Sequence, residues 1–256
     1  MRISTSKSSR PPLSLFIPLL LTLGLSGQSM AQGQDATIKY ATKLPPPVEL
    51  QYSIKAKQSG LPLSGSALVK WQIADRKYNI ITETHAMLVG KILDASSQGN
   101  IDDYGLAPDK FVEKRFRKPA TTTSFERDSK TLRFSASTET YVLKGGEQDR
   151  TSASWQLIAI ARAAGEAFKA GSEWKMLVAG RRDADPWTFK VLGSENIKTP
   201  MGDMVAIHVS KAPPADSKDQ QLDLWLAPSL EWYPVRLKFS DADGDFVDQV
   251  LESVKK

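Results

Sequence analysis

The sequence predicts a mainly β protein, in which one large curved antiparallel sheet or incomplete barrel of roughly a dozen strands wraps one long helix. Two observations predict this fold class. Most of residues 48–254 alternate apolar and polar side chains with the period of two that half-buried strands show. Residues 151–171 have the period of a helix instead. A sheet this large must bury one face, and a single apolar helix can cover that face or fill the mouth of a barrel.

Strand patterns recur along the chain and are separated by turn residues, of which Asp243-Gly244 is the strongest short-hairpin signal. Residues 99–108 are rich in turn residues and are predicted to form a loop. Two β-domains joined at the helix are the alternative architecture, but residues 145–172 contain no long polar linker, which favours a single domain over 48–256. The predicted strands are 48–55, 67–73, 78–85, 87–97, 111–117, 121–127, 131–137, 140–143, 174–178, 187–195, 205–209, 222–226, 235–239 and 246–254.

The predicted helix covers about residues 152–169. Thr151 or Ser152 can cap its start and Gly171 can end it. A stripe of apolar side chains on one face should meet the sheet, and this stripe consists of Leu157, Ile158, Ile160, Ala161, Ala164 and Phe168.

The opposite side of the helix carries a narrow charged arc, on which Arg162 and Glu166 are predicted to form an i, i+4 pair. By helical angle Trp155 lies beside this arc, away from the apolar stripe. A large aromatic residue there is predicted to be wedged under a loop or to face a cavity.

The N-terminus has the pattern of a cleavable signal peptide over residues 1–31. Arg2, Lys7 and Arg10 precede an apolar run over 13–25, which is too short to span a bilayer as a helix. Ser29 and Ala31 are small residues at the −3 and −1 positions, so cleavage is expected between Ala31 and Gln32. An uncleaved anchor is the rival interpretation, and Pro18 argues against it. Residues 32–47, which end in three prolines, are predicted to form a flexible leader.

Composition narrows the class of protein further. There is no Cys, which excludes disulfides and the lipid-modified Cys of a bacterial lipoprotein. Residues 1–31 carry three basic and no acidic residues, so their removal lowers the net charge from +5 to +2. No basic block with interleaved aromatics is present, so a nucleic-acid partner is not expected. The expected product is a periplasmic protein that does not span the membrane.

The second half of the chain carries a family resemblance. LDLWLAPSLEWYPVRLKFSDADGDFVDQVLESV (222–254) and TPMGDMVAIHV (199–209) resemble the exported bacterial family known as domain of unknown function 3108. GLPLSGSALVKWQ (60–72), GLAPDKFVEKR (105–115) and QDRTS (148–152) fit as well. The resemblance covers about residues 46–254 and implies an envelope-associated protein without known catalytic residues.

A looser similarity links the same hairpins to lipoprotein carriers of the LolA and LolB type and to the envelope-stress sensor RseB. Those families hold acyl chains or lipidated peptides in an incomplete barrel with a helical plug. The similarity implies this fold more than a ligand. It rests on Thr199, Gly202, Trp225, Pro234, Arg236, Asp243 and Gly244.

Candidate chemistry is sparse. Neither His85 nor His208 lies at metal-ligand spacing from a second ligand, so both are assigned structural or surface roles. Asp241–Asp245 fits a hairpin turn better than a calcium loop. No nucleophile elbow and no phosphate-binding glycine loop is present, so no cofactor, metal or catalytic residue is predicted.

Three functions remain, in this order. The first is a non-catalytic periplasmic protein that binds a lipid, acyl chain or lipopeptide between sheet and helix. The second is an envelope scaffold or protein-binding module with a solid core, and the third is a hydrolase. The predicted ligand-binding residues are Trp71, Trp155, Leu157, Ile158, Ile160, Ala161, Phe168, Trp225 and Leu237.

Overall fold

The computed structural model of the protein describes residues 37–213 and 220–256. The predicted signal peptide, its cleavage site at Ala31 and Gln32, and the first residues of the predicted leader lie outside the described residues. The helix α1 spans Ser152–Ala164 and is followed by a 3₁₀ turn at Gly165–Ala167. The strands β1 to β15 are Val48–Gln58, Leu61–Ala74, Lys77–Ala86, Gly90–Asp102, Gly105–Arg115, Thr121–Glu126, Thr131–Phe134, Thr140–Val142, Gln148–Asp149, Glu173–Ala179, Ala184–Thr199, Gly202–Lys211, Gln221–Leu226, Pro234–Ser240 and Phe246–Lys255.

All 15 strands belong to one sheet, in the order β8-β7-β6-β5-β4-β3-β2-β1-β15-β14-β13-β12-β11-β10-β9. Strands that are consecutive in sequence pair with each other, except β8 and β9, which form the two edges of the sheet. The terminal strands β1 and β15 also pair, so they lie in the middle of the sheet. Every pairing is antiparallel except that of β9 with β10. The predicted fold class, a large curved antiparallel sheet around one helix, is confirmed.

The sheet is open, but its two ends approach each other through side chains. A small apolar cluster joins Phe125 and Leu132 from one end to Ala179 and Ala184 from the other. The Thr123 hydroxyl donates to the carbonyl of Gly180 at 2.8 Å. The ends are therefore held by packing and isolated hydrogen bonds rather than by a continuous ladder.

The helix lies inside this curved sheet and is buried on most of its circumference. Trp155 stacks on Trp71 with ring centroids 4.9 Å apart, and its edge meets Tyr233. The Gln156 side chain accepts a hydrogen bond from the N–H of Leu106 and donates to the carbonyl of Tyr104. Because the sheet surrounds the helix, Trp155 is in the core, even though its helical angle places it beside the charged arc.

The helix begins at Ser152, as predicted, but its capping group and its C-terminal end differ from the prediction. Asp149 caps the start, because its carboxylate accepts the N–H groups of Thr151 and Ser152 at 2.8 Å. The Ser152 hydroxyl in turn accepts the N–H of Asp149, which makes the capping reciprocal. The α-helix ends at Ala164, before the predicted Gly171, because Gly165 has a φ of 54°.

Arg162 pairs with Glu231 instead of Glu166. Glu231 and the following Trp232 both have positive φ, in the turn that precedes β14. This turn brings the Glu231 carboxylate to the helix, whereas Glu166 lies beyond the last α-helical turn. The predicted i, i+4 pair is therefore wrong.

The predicted loop over 99–108 is mostly strand. Gly99 pairs with Pro108 and Asn100 with Ala107, so only Asp103 and Tyr104 form the turn between β4 and β5. The long-range ladder overrides the local turn propensity of these residues. Conversely, residues 87–89, predicted to begin a strand, form the turn before β4.

Residues 37–47 are irregular but make defined contacts. The carbonyl of Pro45 accepts the indole N–H of Trp71 at 3.0 Å, and the carbonyl of Pro46 accepts the Tyr233 hydroxyl at 2.9 Å. Lys43 donates its N–H to the carbonyl of Ala159 in the helix. This part of the predicted leader thus lies against the core residues of the helix and sheet.

A candidate ligand-binding cleft on the face away from the helix

The β11–β12 hairpin is long, and its tip bends over the sheet. Residues of β11 come close to β14 and β15, although neither strand is a hydrogen-bonded neighbour of β11. A cleft of about 540 Å³ lies between the hairpin and the sheet surface. Its lining is Ser53, Lys55, Asn196, Ile197, Lys198, Pro200, Arg236, Asp248 and Val250.

Strand register shows which face of the sheet forms this cleft. Ser53 pairs with Val250, Val250 with Arg236, and Arg236 in turn with Trp225. Side chains of directly paired residues lie on the same face. Tyr52 in β1 points to the opposite face, together with the helix contact Trp71. The cleft is therefore on the face of the sheet away from α1.

The lining of the cleft carries unneutralised positive charge. Arg236 donates two hydrogen bonds to Asp248, at 2.8 and 2.7 Å, and its guanidinium lies 4.6 Å from the ring centroid of Trp225. Lys55 and Lys198 are exposed and have no acidic partner among the residues that the structure describes. The lining residues themselves therefore carry an excess of two positive charges, and Asp203, which lies opposite Lys198 in the β11–β12 ladder, forms no ion pair with it.

A histidine network borders the cleft. The His208 ring lies between two carboxylates, with Nδ1 at 2.7 Å from Glu195 and Nε2 at 3.0 Å from Asp223. The ring stacks on Trp225 with centroids 4.3 Å apart, and the Trp225 indole N–H donates to Glu195 at 2.8 Å. These groups come from three adjacent strands, which the hairpin and the sheet bring into register.

The electrostatics of this network favour an imidazolium. Burial alone lowers the pKa of His208, but its hydrogen bonds to Asp223 and Glu195 outweigh this effect and raise the pKa above 6.5. The indole hydrogen bond from Trp225, followed by that from His208, lowers the pKa of Glu195. Each ring nitrogen of His208 is already engaged by a carboxylate, so neither is positioned to take a proton from a substrate in this arrangement.

The His208→Gln variant should lose stability in a pH-dependent way. The stabilisation from the protonated ring is complete below the unfolded pKa of 6.5 and is lost as the pH rises through the raised folded pKa. We expect the variant to be less stable than the parent by about 1 kcal/mol at acidic pH, with the difference shrinking at alkaline pH. Urea unfolding across this range measures it. A constant difference would show that the ring is not charged in the folded protein.

Most of the predicted ligand-binding residues meet in the core. Trp71, Leu157, Ile158, Ile160 and Ala161 are at most 1% exposed. Leu237 is partly buried and packs on the same cluster. Phe168 lies beyond the helix end and stacks on Trp174. These residues line neither the cleft nor a second hollow of about 170 Å³ at one end of the sheet.

Trp225 is not brought together with the helix residues. Its neighbours Leu224 and Leu226 point to the helix side of the sheet, and strand side chains alternate, so Trp225 points to the cleft side. Its grouping with Leu237 as one lining is therefore wrong. Trp225 instead stacks between His208 and Arg236, which sequence reasoning assigned to surface and structural roles.

The cleft residues themselves carry little sequence signal. Lys55 and Lys198 look like ordinary solvent-facing strand residues, and Asp223 alternates with buried leucines. The one available signal was Arg236, which belongs to the hairpin motif that carries the family resemblance. Only the bending of the β11–β12 hairpin brings these positions to one place.

The described residues contain no group of three or more His, Asp or Glu side chains that could hold a metal ion. Within the same residues, α1 and the other helical segments are too short or too polar to cross a bilayer.

These features define a class, that of β-barrel-like proteins whose open sheet encloses one helix. This chain is similar to a solved structure described as a β-barrel-like protein of domain of unknown function DUF1849 from Brucella abortus. It is 16% identical, has a TM-score of 0.56, and is matched over 84% of this chain and 99% of its own. This likeness supports the fold.

The family model described as protein of unknown function (DUF3108) matches residues 51–251, so the chain belongs to that family. A domain provisionally described as an outer membrane lipoprotein-sorting protein, from Vibrio parahaemolyticus, is 8% identical with a TM-score of 0.34. It is matched over 82% of this chain and 85% of its own length. No curated protein is similar enough to this chain to count as a match.

Proposed function

We propose that this protein is a non-catalytic binding protein of the bacterial cell envelope. Its ligand would be an amphiphilic molecule with an anionic group, such as a fatty acid, a phospholipid or a lipopeptide. The observation that carries the proposal is the cleft between the β11–β12 hairpin and the sheet, which combines apolar walls with two unpaired lysines. In this proposal the ligand lies on the face away from the helix, instead of between sheet and helix.

The size and lining of the cleft support such a ligand. Its volume of about 540 Å³ is within the range of small-molecule sites. Ile197, Pro200 and Val250 offer apolar surface, whose burial against an acyl chain is worth about 25 cal/mol per Å². Lys55 and Lys198 would hold the anionic group, since their ammonium groups have no acidic partner among the described residues.

The rival functions are supported less well. A scaffold with a solid core agrees with the complete burial of Leu157, Ile158 and Ile160, but it leaves the charged cleft unexplained. A hydrolase would need a base, and both nitrogens of His208 already face carboxylates. We therefore favour a binding function. In this proposal the solid helix–sheet interface is the structural framework that supports the cleft.

Charge reversal in the cleft tests the proposal. The Lys55→Glu/Lys198→Glu variant should bind a fluorescent long-chain fatty acid at least about tenfold more weakly than the parent, because an anionic group would meet two carboxylates. Fluorescence titration measures the affinity. The matched control is Lys169→Glu/Lys190→Glu, which makes the same charge change at exposed lysines outside the cleft.

Extraction of the exported protein with organic solvent, followed by mass spectrometry, identifies the natural ligand. A stoichiometric anionic amphiphile on the parent protein and its loss from the cleft variant are expected. Equal affinity of the two double variants for the fatty acid, or no binding by the parent, would contradict the proposal and favour the scaffold.

A further inference from the structure

Three hairpin turns lie side by side at one end of the sheet. They are the turns between β1 and β2, between β3 and β4, and between β5 and β6. Backbone hydrogen bonds join them at their bases: Met87 donates to the carbonyl of Ser64 at 3.0 Å, and Phe116 donates to that of Ile92 at 2.8 Å. We call these three turns, together with the strand residues next to them (Leu61 to Leu63 of β2), the rim.

The rim concentrates the exposed apolar side chains of the molecule. Of the eleven large hydrophobic residues that are exposed among the described residues, six belong to it. Leu88 is 94% exposed and Met87 is 78% exposed, at the very tip of the middle turn. The six rim residues are Leu61, Leu63, Met87, Leu88, Val89 and Phe116.

This exposure has no explanation within the fold. Turns between strands are usually polar, and a run of Met-Leu-Val at a tip buries nothing in the core. Contiguous apolar side chains on a protein surface mark a site that binds another protein or a membrane. The hollow of about 170 Å³, lined in part by Leu63 and Ile92, opens beside the rim and extends its apolar surface.

Positive charges lie next to these apolar tips. Lys114 lies at the end of β5, Arg117 and Lys118 lie in the β5–β6 turn that follows, and Lys57 precedes the β1–β2 turn. None of the four pairs with an acidic side chain in the described part of the chain. The Arg117 guanidinium stacks on the exposed Phe116 ring at 4.9 Å from its centroid.

The acidic residues close to the β3–β4 and β5–β6 turns already form ion pairs with other basic side chains. Lys91 binds both Glu83 and Asp94, at 2.9 and 3.2 Å. Arg115 binds Glu113, which Arg181 also approaches at 3.3 Å. Further acidic residues lie at this end among the described residues: Glu139 in the β7–β8 turn, beyond the β5–β6 turn, and the acids around Asp245 in the β14–β15 turn, beyond the β1–β2 turn. None of them forms an ion pair with the basic residues of the rim. The β3–β4 and β5–β6 turns therefore combine apolar tips with uncompensated cations.

We propose that the rim docks the protein on the surface of an anionic lipid bilayer. The apolar tips would enter the boundary between headgroups and acyl chains, while the basic residues meet lipid phosphates. A protein partner fits less well, because the most exposed apolar side chains are separate protruding tips with flanking cations and do not form one continuous face. The rim is distinct from the cleft, so this proposal goes beyond ligand binding and does not depend on it.

Vesicle sedimentation tests the docking. The protein lacking residues 1–31 is mixed with vesicles of phosphatidylcholine alone, or of phosphatidylcholine with phosphatidylglycerol. We expect binding to the anionic vesicles that weakens as salt is added. The Met87→Ser/Leu88→Ser variant should bind at least about tenfold more weakly. Its matched control, Leu192→Ser/Val205→Ser, removes two exposed apolar side chains elsewhere on β11 and β12 and should bind like the parent.

The charge component is tested separately. The Arg117→Glu/Lys118→Glu variant should lose about tenfold or more in affinity for anionic vesicles and little for neutral ones. The Lys169→Glu/Lys190→Glu variant should retain binding. All substituted side chains are exposed, so circular dichroism and thermal unfolding should match the parent.

Three results would overturn the proposal. They are no binding of the parent to anionic vesicles, equal binding of rim and control variants, and a dimer in sedimentation analysis that the rim variant abolishes. The last result would show that the rim is a dimer interface between two copies of the chain. Fatty-acid binding by the cleft should be unchanged in rim variants, so failure of one proposal is distinguishable from failure of the other.

Discussion

Replacement of Trp155 by Ala should lower the free energy of unfolding by about 3–5 kcal/mol. The Trp155 side chain is 4% exposed. Its ring stacks on that of Trp71 with centroids 4.9 Å apart and meets the Tyr233 ring edge-on with centroids 6.1 Å apart. Its removal opens a large cavity at the point where the helix, β2 and the turn before β14 meet. Trp71 and Tyr233 also hold the carbonyls of Pro45 and Pro46, so residues 37–47 should loosen too.

Urea or guanidinium unfolding of the parent and the variant measures this loss. The matched control is Trp187→Ala, because Trp187 is half-buried and contacts Phe189 at the outer part of the sheet. We expect a clearly smaller loss for the control. Equal losses, or a loss below about 1 kcal/mol for Trp155→Ala, would mean that Trp155 faces an unfilled space, as a ligand cavity beside the helix would require.

The Asp149→Asn variant should gain stability relative to the parent as the pH rises from about 4 to 7. Asp149 is fully buried, and burial raises its pKa from 3.8 to about 6, although hydrogen bonds from Ser97, Ser152 and Thr151 favour the charged form. The pKa of Asp149 is thus higher in the folded protein than in the unfolded chain. The contribution of Asp149 to stability is therefore complete below pH 3.8 and is lost as the pH rises through about 6.

At neutral pH the free energy of unfolding of the Asp149→Asn variant should exceed that of the parent by about 2–3 kcal/mol, because the amide cannot ionise. Its oxygen can still accept the N–H groups of Thr151 and Ser152, and its NH₂ group can donate to the Ser97 hydroxyl. Asp149→Ala removes the cap and should lose about 2 kcal/mol or more across the same pH range. Asp203→Asn, at an exposed acid, is the control. Parallel pH profiles of parent and Asn variant would contradict this interpretation.

The buried Asp149 also explains how one helix can begin inside a sheet. Ser97 in β4 donates to the Asp149 carboxylate at 2.5 Å, and Tyr78 in β3 is bonded to Ser97 at 3.1 Å. The start of the helix is thus tied to the half of the sheet that precedes it in sequence, while β9 and β10 tie it to the other half. Loss of this link should loosen the start of the helix from β3 and β4.

Sequence patterns were informative where the structure depends on near neighbours. The alternation of Leu222, Leu224 and Leu226 with Asp223 and Trp225 correctly separates two faces of β13. Sequence patterns failed where pairing with a strand distant in sequence determines the local structure. Residues 99–108 have turn propensity but pair as β4 and β5, and Trp155 has a position on the charged arc but is enclosed by the sheet.

The candidate cleft illustrates the same limit. Lys55, Lys198 and Arg236 belong to three strands that are far apart in sequence, and none has a spacing that marks a site. The exposed Met87 and Leu88 were predicted to begin a strand, because apolar residues at a tip and in a strand look alike to a periodicity argument.

The sequence alone was enough to predict the mainly β character, the helix inside the sheet, the lack of cysteine chemistry and the resemblance to the DUF3108 family. These properties follow from local periodicity, composition and motifs, which need no knowledge of contacts. The three-dimensional contacts were needed to show which face of the sheet holds the helix, where the β11–β12 hairpin bends and which charges meet in the cleft. The physical reason is that strand pairing and sheet curvature are set by long-range packing, and a side chain's surroundings depend on residues that the local pattern does not contain.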